Sequence, residues 1–201
     1  MIVFLIHNNN FHSSYFKNYT DQSNKIIIKI GTSVIFDSDR NRIRKGFIPK
    51  LARDVSKLRS NGKEIIIVSS GAVGCGKSMI KGNEEIRTKQ AQASIGQILL
   101  LEKYNKHFKK FNLGIAQFLL TSRELREKES LENIKSTYNQ VKNHAVAIVN
   151  ENDVISVKEL SFGDNDNLAK ELMLALDFDT LIILTKKGQL IKNGKKLTKT
   201  N

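Results

Sequence analysis

Five short stretches of this chain are apolar nearly without interruption, and four of them are rich in β-branched residues. They are Ile26-Ile27-Ile28 with Ile30, Ile65-Ile66-Ile67-Val68, Ile115 to Leu120, Ala145 to Val149, and Leu181-Ile182-Ile183-Leu184. None alternates apolar with polar, as a strand with one wet face would. Continuous runs of this length predict strands buried on both faces. Between them the apolar residues recur at helical spacing. Phe47, Ile48, Leu51, Val55 and Leu58 mark a helix over 46–60 that Asn61-Gly62 stops. Further helices are expected over 85–109, 129–142 and 167–176, and Asn193-Gly194 predicts a hairpin turn. Strands alternating with helices predict an α/β fold, a three-layer α/β/α sandwich around a mostly parallel sheet.

Composition narrows the function classes. The chain has 201 residues, one Cys and a formal net charge of +13. One Cys excludes an intrachain disulfide framework and any multi-Cys zinc site. No run approaches the roughly 18 apolar residues of a membrane helix, so no membrane partner is expected. The basic excess raises nucleic acid as a partner, but residues 185–201 hold six Lys and no acid. The remaining charge is scattered among acids without interleaved aromatics, so nucleic-acid binding is kept only as an alternative. Residues 1–24 lack the basic flank and the longer apolar stretch of a signal peptide. They are expected to be a disordered extension outside the domain, which then spans 25–201.

In parallel sheets, ligands bind beyond the carboxyl ends of the strands. The polar clusters of this sequence follow its apolar runs: Gly31-Thr32-Ser33, Ser69-Ser70-Gly71, Asn150-Glu151-Asn152-Asp153 and Thr185. Lys29, just before the first cluster, could aim a compact positive charge at phosphate oxygens, and Gly31 would let a phosphate approach the backbone. Gly163-Asp164-Asn165-Asp166-Asn167 gathers acids and amides before a helix, with Asp166 or Asn167 as its cap. Gly71 to Ser78 fits the phosphate-loop pattern GxxxxGK[ST]. No apolar strand ends in the Asp that such enzymes use toward the metal, which counts against a phosphate loop. Cys75 reads as a packed thiol, and no His receives a role.

Taken together, Ile28-Lys29-Ile30-Gly31-Thr32-Ser33, Ile67 to Val73, Ile148 to Asp153 and Gly163 to Leu168 resemble the amino-acid kinase family in order and spacing over about residues 25–192. The pair Asn150-Glu151-Asn152-Asp153 and Gly163 to Leu168 is specific within it. The resemblance implies the amino-acid kinase fold and an ATP-dependent phosphorylation of the L-glutamate side-chain carboxylate to L-glutamyl 5-phosphate, the first step of proline biosynthesis. By the same resemblance Lys29 binds ATP phosphates and stabilises the transition state, and Asp166 orients the catalytic lysines. Ser70, Asp153 and Asn165 bind glutamate, and Thr185 and Lys186 fall where the family contacts nucleotide. Mg2+ is expected to ride mainly on the nucleotide. Proline as feedback inhibitor, a homo-oligomer and a cytoplasmic location are also implied.

The chain departs from the pattern at Lys186, where the family carries Asp. Family members also continue for about sixty residues beyond this length, so the domain is expected to be incomplete at its C-terminal end. Two other readings therefore stand beside the kinase. One is an inactive remnant that keeps only the amino-acid site, and the other is a basic nucleic-acid-binding protein.

Overall fold

A computed structural model of the chain describes residues 2–7, 20–82, 85–156, 164–185, 191–192 and 195–196. The apolar runs form β2 (Lys25–Ile30), β5 (Glu64–Ser69), β6 (Gly114–Leu120), β7 (Ala145–Glu151) and β8 (Thr180–Thr185). Branching at Cβ suits the pleated surface and disfavours the helix, which is why isoleucine dominates here. With β1 (Ile2–His7) they make one six-stranded sheet in the order β1-β8-β2-β5-β7-β6, and every pairing is parallel.

Each strand turns alternate residues to opposite faces, so an unbroken apolar run feeds two cores. Ile26, Ile28, Ile30, Ile65, Ile67, Ile148 and Ile182 pack on one face. There they meet Ile48, Leu51 and Val55 of α2 (Phe47–Ser60) and Leu100, Tyr104 and Phe108 of α4 (Ile86–Phe108). Ile27, Ile66, Val68, Val149, Leu181 and Ile183 pack on the other. Their partners are Ile134 and Tyr138 of α5 (Lys128–Val141) with Leu168, Leu172 and Met173 of α6 (Asp164–Ala175). The α/β/α sandwich expected from the sequence is the observed architecture.

Three local features differ from the sequence expectations. Residues 1–24 were set outside the domain, yet Ile2–His7 runs along the outer edge of β8, from Ile2 opposite Thr180 to His7 opposite Thr185. Thr20 and Ser23 are buried, and Ser23 Oγ lies 2.6 Å from Thr180 Oγ1. Asp179 accepts the backbone N–H groups of Asn24 and Lys25, both at 2.9 Å. The cause is the free edge of β8, whose backbone groups a short apolar stub can satisfy.

Second, α6 starts at Asp164 rather than 167, so Asp166 and Asn167 lie inside its first turn instead of capping it. Acidic residues are favourable in that turn because of the helix dipole. Third, the turn after β2 contains a short helix, α1 (Thr32–Ile35), then a small hairpin of β3 (Phe36–Asp37) and β4 (Arg42–Ile43). Near the end, β9 (Ile191–Lys192) pairs antiparallel with β10 (Lys195–Lys196), the hairpin predicted by Asn193-Gly194.

Candidate active site

β2 lies between β5 and β8, so the chain leaves it toward one side of the sheet and later returns on the other. A crevice forms where the winding reverses, and here it opens beyond the carboxyl ends of β2, β5, β7 and β8. Lys29 sits one residue before the end of β2 and shares its face with Ile27, the face that α6 covers. It is 7% exposed, and its Nζ meets a carboxylate oxygen of Asp166 at 2.5 Å. The apolar anchors Leu168, Leu172 and Met173 hold α6 on the sheet and so fix where Asp166 stands.

Gly31 follows directly. A Cβ on Gly31 would lie 3.6 Å from Lys29 Nζ and 3.5 Å from the Leu184 carbonyl oxygen. Glycine therefore leaves the space beside the ammonium open. Thr185, partly buried, ends β8 just beyond Leu184, whose carbonyl accepts the Gly31 N–H at 3.4 Å. Lys186 and Gly163 lie outside the described residues.

On the other side of Lys29 is a set of neutral polar groups. Asn165 Nδ2 donates to Ser70 Oγ at 2.9 Å, to the Ser69 carbonyl at 3.4 Å and to Asn150 Oδ1 at 3.3 Å. Asn150, 2% exposed at the end of β7, donates through Nδ2 to Gln97 Oε1 at 2.7 Å. Ser70 Oγ accepts from Asn165, which leaves its own hydrogen to donate. Gly71 then adopts φ +109°, a left-handed conformation that favours glycine. Ser69 Oγ lies 2.9 Å from the hydroxyl of fully buried Tyr104. Burial raises the pKa of that phenol, against the lowering effect of the Ser69 contact, so it stays neutral.

Asp153 stands in the turn after β7 and lines a cavity of about 210 Å3 together with Gln97, Gln117, Glu151 and Asn152. Gln97 joins this cavity to the Asn150–Asn165–Ser70 chain. Lys29 meets Asp166, and Ser70 meets Asn165, the chain neighbour of Asp166, whereas Asp153 lines a cavity that none of these four lines and that shares with their side-chain network only Gln97. Among the described residues, no three or more His, Cys, Asp or Glu gather to hold a metal ion. A divalent cation here would depend on oxygens supplied by a bound phosphate.

The GxxxxGK[ST] match has a packing explanation. A Cβ at Gly76 would come within 1.9 Å of the Gln92 carbonyl oxygen, so that glycine lets α3 (Ala72–Gly76) press against α4. Lys77 and Ser78 are exposed beyond it. Cys75 is packed, and burial pushes its thiol up to about 11 against the lowering effect of Lys103. Gln97 and Tyr104 escaped the sequence reading. Their signal was spacing, because Ala93, Gln97, Leu100 and Tyr104 share one buried helix face. A polar side chain among core positions invites the question of what it bonds.

Residues 24–200 match the model of the amino acid kinase family. The chain is similar to the glutamate 5-kinase of Pelagibacter ubique, 39% identical over 185 residues, covering 90% of this chain and 50% of the relative. It is 39% identical over 170 residues to the glutamate 5-kinase of Desulfotalea psychrophila, with 82% of this chain and 45% of the relative covered. Against that of Clostridium perfringens it is 39% identical over 171 residues, covering 81% and 63%. The chain spans about half the length of the curated relatives it matches. With a family match over most of its length and a parallel sheet whose carboxyl edge carries Lys29 and Asp166, the chain belongs to the amino acid kinase family.

Proposed function

We propose that the chain catalyses transfer of the γ-phosphoryl group of ATP to the side-chain carboxylate of L-glutamate, giving ADP and L-glutamyl 5-phosphate, a step toward proline. The observation that carries this is the contact between Lys29 and Asp166 one residue from Asn165, which itself reaches Ser70. A cation for phosphate and a set of polar groups for an amino acid thereby share one rim.

In the reaction a carboxylate oxygen of glutamate attacks the γ-phosphorus. The bond from that phosphorus to its bridging oxygen breaks, and ADP leaves with the electron pair. No proton needs to move, because the nucleophile is already an anion. The protein's task is to align two anions and offset the charge on the transferred group. Lys29 supplies the compensating charge, and Asp166 holds its ammonium on line. The hydroxyl of Ser70, the Asn165 carboxamide and the Asp153 carboxylate hold the glutamate. Thr185 and Lys186 contribute to the nucleotide side. Mg2+, bound through ATP phosphates, would add further charge neutralisation. Competition by proline for the amino-acid hollow, self-association and a cytoplasmic location belong to the same proposal.

The test is glutamate-dependent ADP release with Mg2+. Lys29→Ala should lower it by roughly 10²-fold or more, as expected when a charge aimed at a transition state is lost. Turnover unchanged in that variant would remove Lys29 from the chemistry.

A further inference from the structure

We propose that Gln97 is a positioning residue for amino-acid recognition, acting through Asn150 to hold the Asn165 carboxamide in the orientation that faces the ligand. This inference rests on the amino-acid reading of the site above. Gln97 is 8% exposed on α4, far in sequence from both asparagines, yet its Oε1 accepts from Asn150 Nδ2 at 2.7 Å.

A carboxamide has a donor end and an acceptor end, and turning it over reverses both. Two backbone groups, which cannot turn, fix the order of this chain. The Glu151 N–H donates to Asn150 Oδ1 at 3.0 Å, so Asn150 must turn its NH2 toward Gln97. The Ser69 carbonyl accepts from Asn165 Nδ2, so Asn165 must turn its oxygen away. Gln97 closes the chain at the Asn150 end. With its oxygen in place, Asn150 Nδ2 is satisfied and Asn150 Oδ1 remains pointed at Asn165.

Two buried atoms are then left without a partner, Gln97 Nε2 at one end and Asn165 Oδ1 at the other. One is a donor and the other an acceptor. A buried unpartnered amide atom is unfavourable unless a ligand completes it. An acceptor at Asn165 Oδ1 matches an ammonium, and the free hydrogen of Ser70 matches a carboxylate. The chain therefore presents the polarity that a zwitterionic amino acid requires. Without Gln97, Asn150 Nδ2 loses its acceptor and the Glu151 N–H alone steadies Asn150, so Asn165 is held less firmly at Asn150 Oδ1.

The experiment is an NMR titration of L-glutamate, and separately of ATP, into the wild-type chain, Gln97→Met, Asn165→Ala and the double variant. Gln97→Met keeps the volume and removes the acceptor. It should weaken glutamate by about tenfold, the loss expected for one misaligned hydrogen bond to a charged group, and leave ATP affinity unchanged. In the Asn165→Ala background the same change should add less than about twofold, since residues acting through one another are not additive. The inference is overturned if Gln97→Met binds glutamate as the wild type does. It is equally overturned if ATP weakens to the same extent, or if the loss adds in full on Asn165→Ala. Should Gln97→Met not fold, Gln97→Glu keeps an oxygen toward Asn150. Affinity within about threefold of wild type then supports the link, and any greater loss refutes it. A wild-type chain that binds no glutamate overturns the amino-acid reading and this inference with it.

Discussion

A lysine near the end of a buried strand is an expensive residue unless something answers its charge. Lys29 is answered by Asp166, and the two differ in exposure: the Lys29 side chain is 9% exposed and that of Asp166 38%. Water at the Asp166 end screens the pair, so its contribution to stability is on the order of 1 kcal/mol rather than the several expected of a fully buried pair. Its geometric effect is larger, because a flexible ammonium without a carboxylate has no fixed direction. Asp166→Asn should therefore lower phosphoryl transfer by about tenfold or more while the denaturation midpoint moves little. Equal loss in activity and stability would make the pair merely structural. Cys75 offers a separate check at this scale. With its thiol raised to about 11, the thiolate at neutral pH is about a hundredfold scarcer than for an ordinary cysteine. Its reaction with a thiol-specific reagent at pH 7.5 should be slower than in the unfolded chain by at least that factor. Reaction at the unfolded rate would contradict the packing described for α3.

At the scale of elements, α3 and α4 lie backbone to backbone where their glycines meet. A Cβ on Gly96 would fall 1.8 Å from the Ala72 carbonyl oxygen, just as one on Gly76 would meet Gln92. Backbone rather than flexible side chain lies in the way, so the helices would have to part. Gly96→Ala should destabilise the fold by about 2–4 kcal/mol in denaturant unfolding despite the better helix propensity of alanine. A neutral or stabilising result would show that the crossing is looser than this. The contact also explains part of what was legible. Strands read easily because runs such as Ile65 to Val68 have no other use. The glycines at 71, 74 and 76 were harder, since in sequence they resemble a phosphate loop. What decides between the two is the backbone of Gln92 packed against Gly76 from another helix, and no local pattern records it. The same holds for Asn165 and Gln97. The cluster around Asn165 stood out as chemistry, whereas Gln97 matters through a bond to Asn150 across 53 positions.

For the molecule as a whole, six parallel strands carry two unequal edges. β6 closes one side, and β1 closes the other against β8. That the inner strands run parallel and are covered on both faces was readable from their unbroken apolar runs, whereas their order was not, because no local pattern records which strand lies beside which. Nor was the placement of Ile2–His7, since an edge strand needs only a short, mostly apolar stretch and a free neighbour. The pairing makes a defined claim about β8, the strand that ends at Thr185 beside Gly31. In a parallel strand alternate N–H groups point to opposite neighbours, so about half of those in β8 should face β1 and the rest β2. Deleting residues 1–7 should speed hydrogen exchange at the first set by about tenfold or more, with the second set and the amides of β5 little changed. Because the Leu184 carbonyl also holds the Gly31 N–H, a loosened β8 should weaken nucleotide binding as well. Equal protection of β8 with and without residues 1–7 would mean that the edge does not depend on β1. The carboxyl rim would then rest on the five inner strands alone.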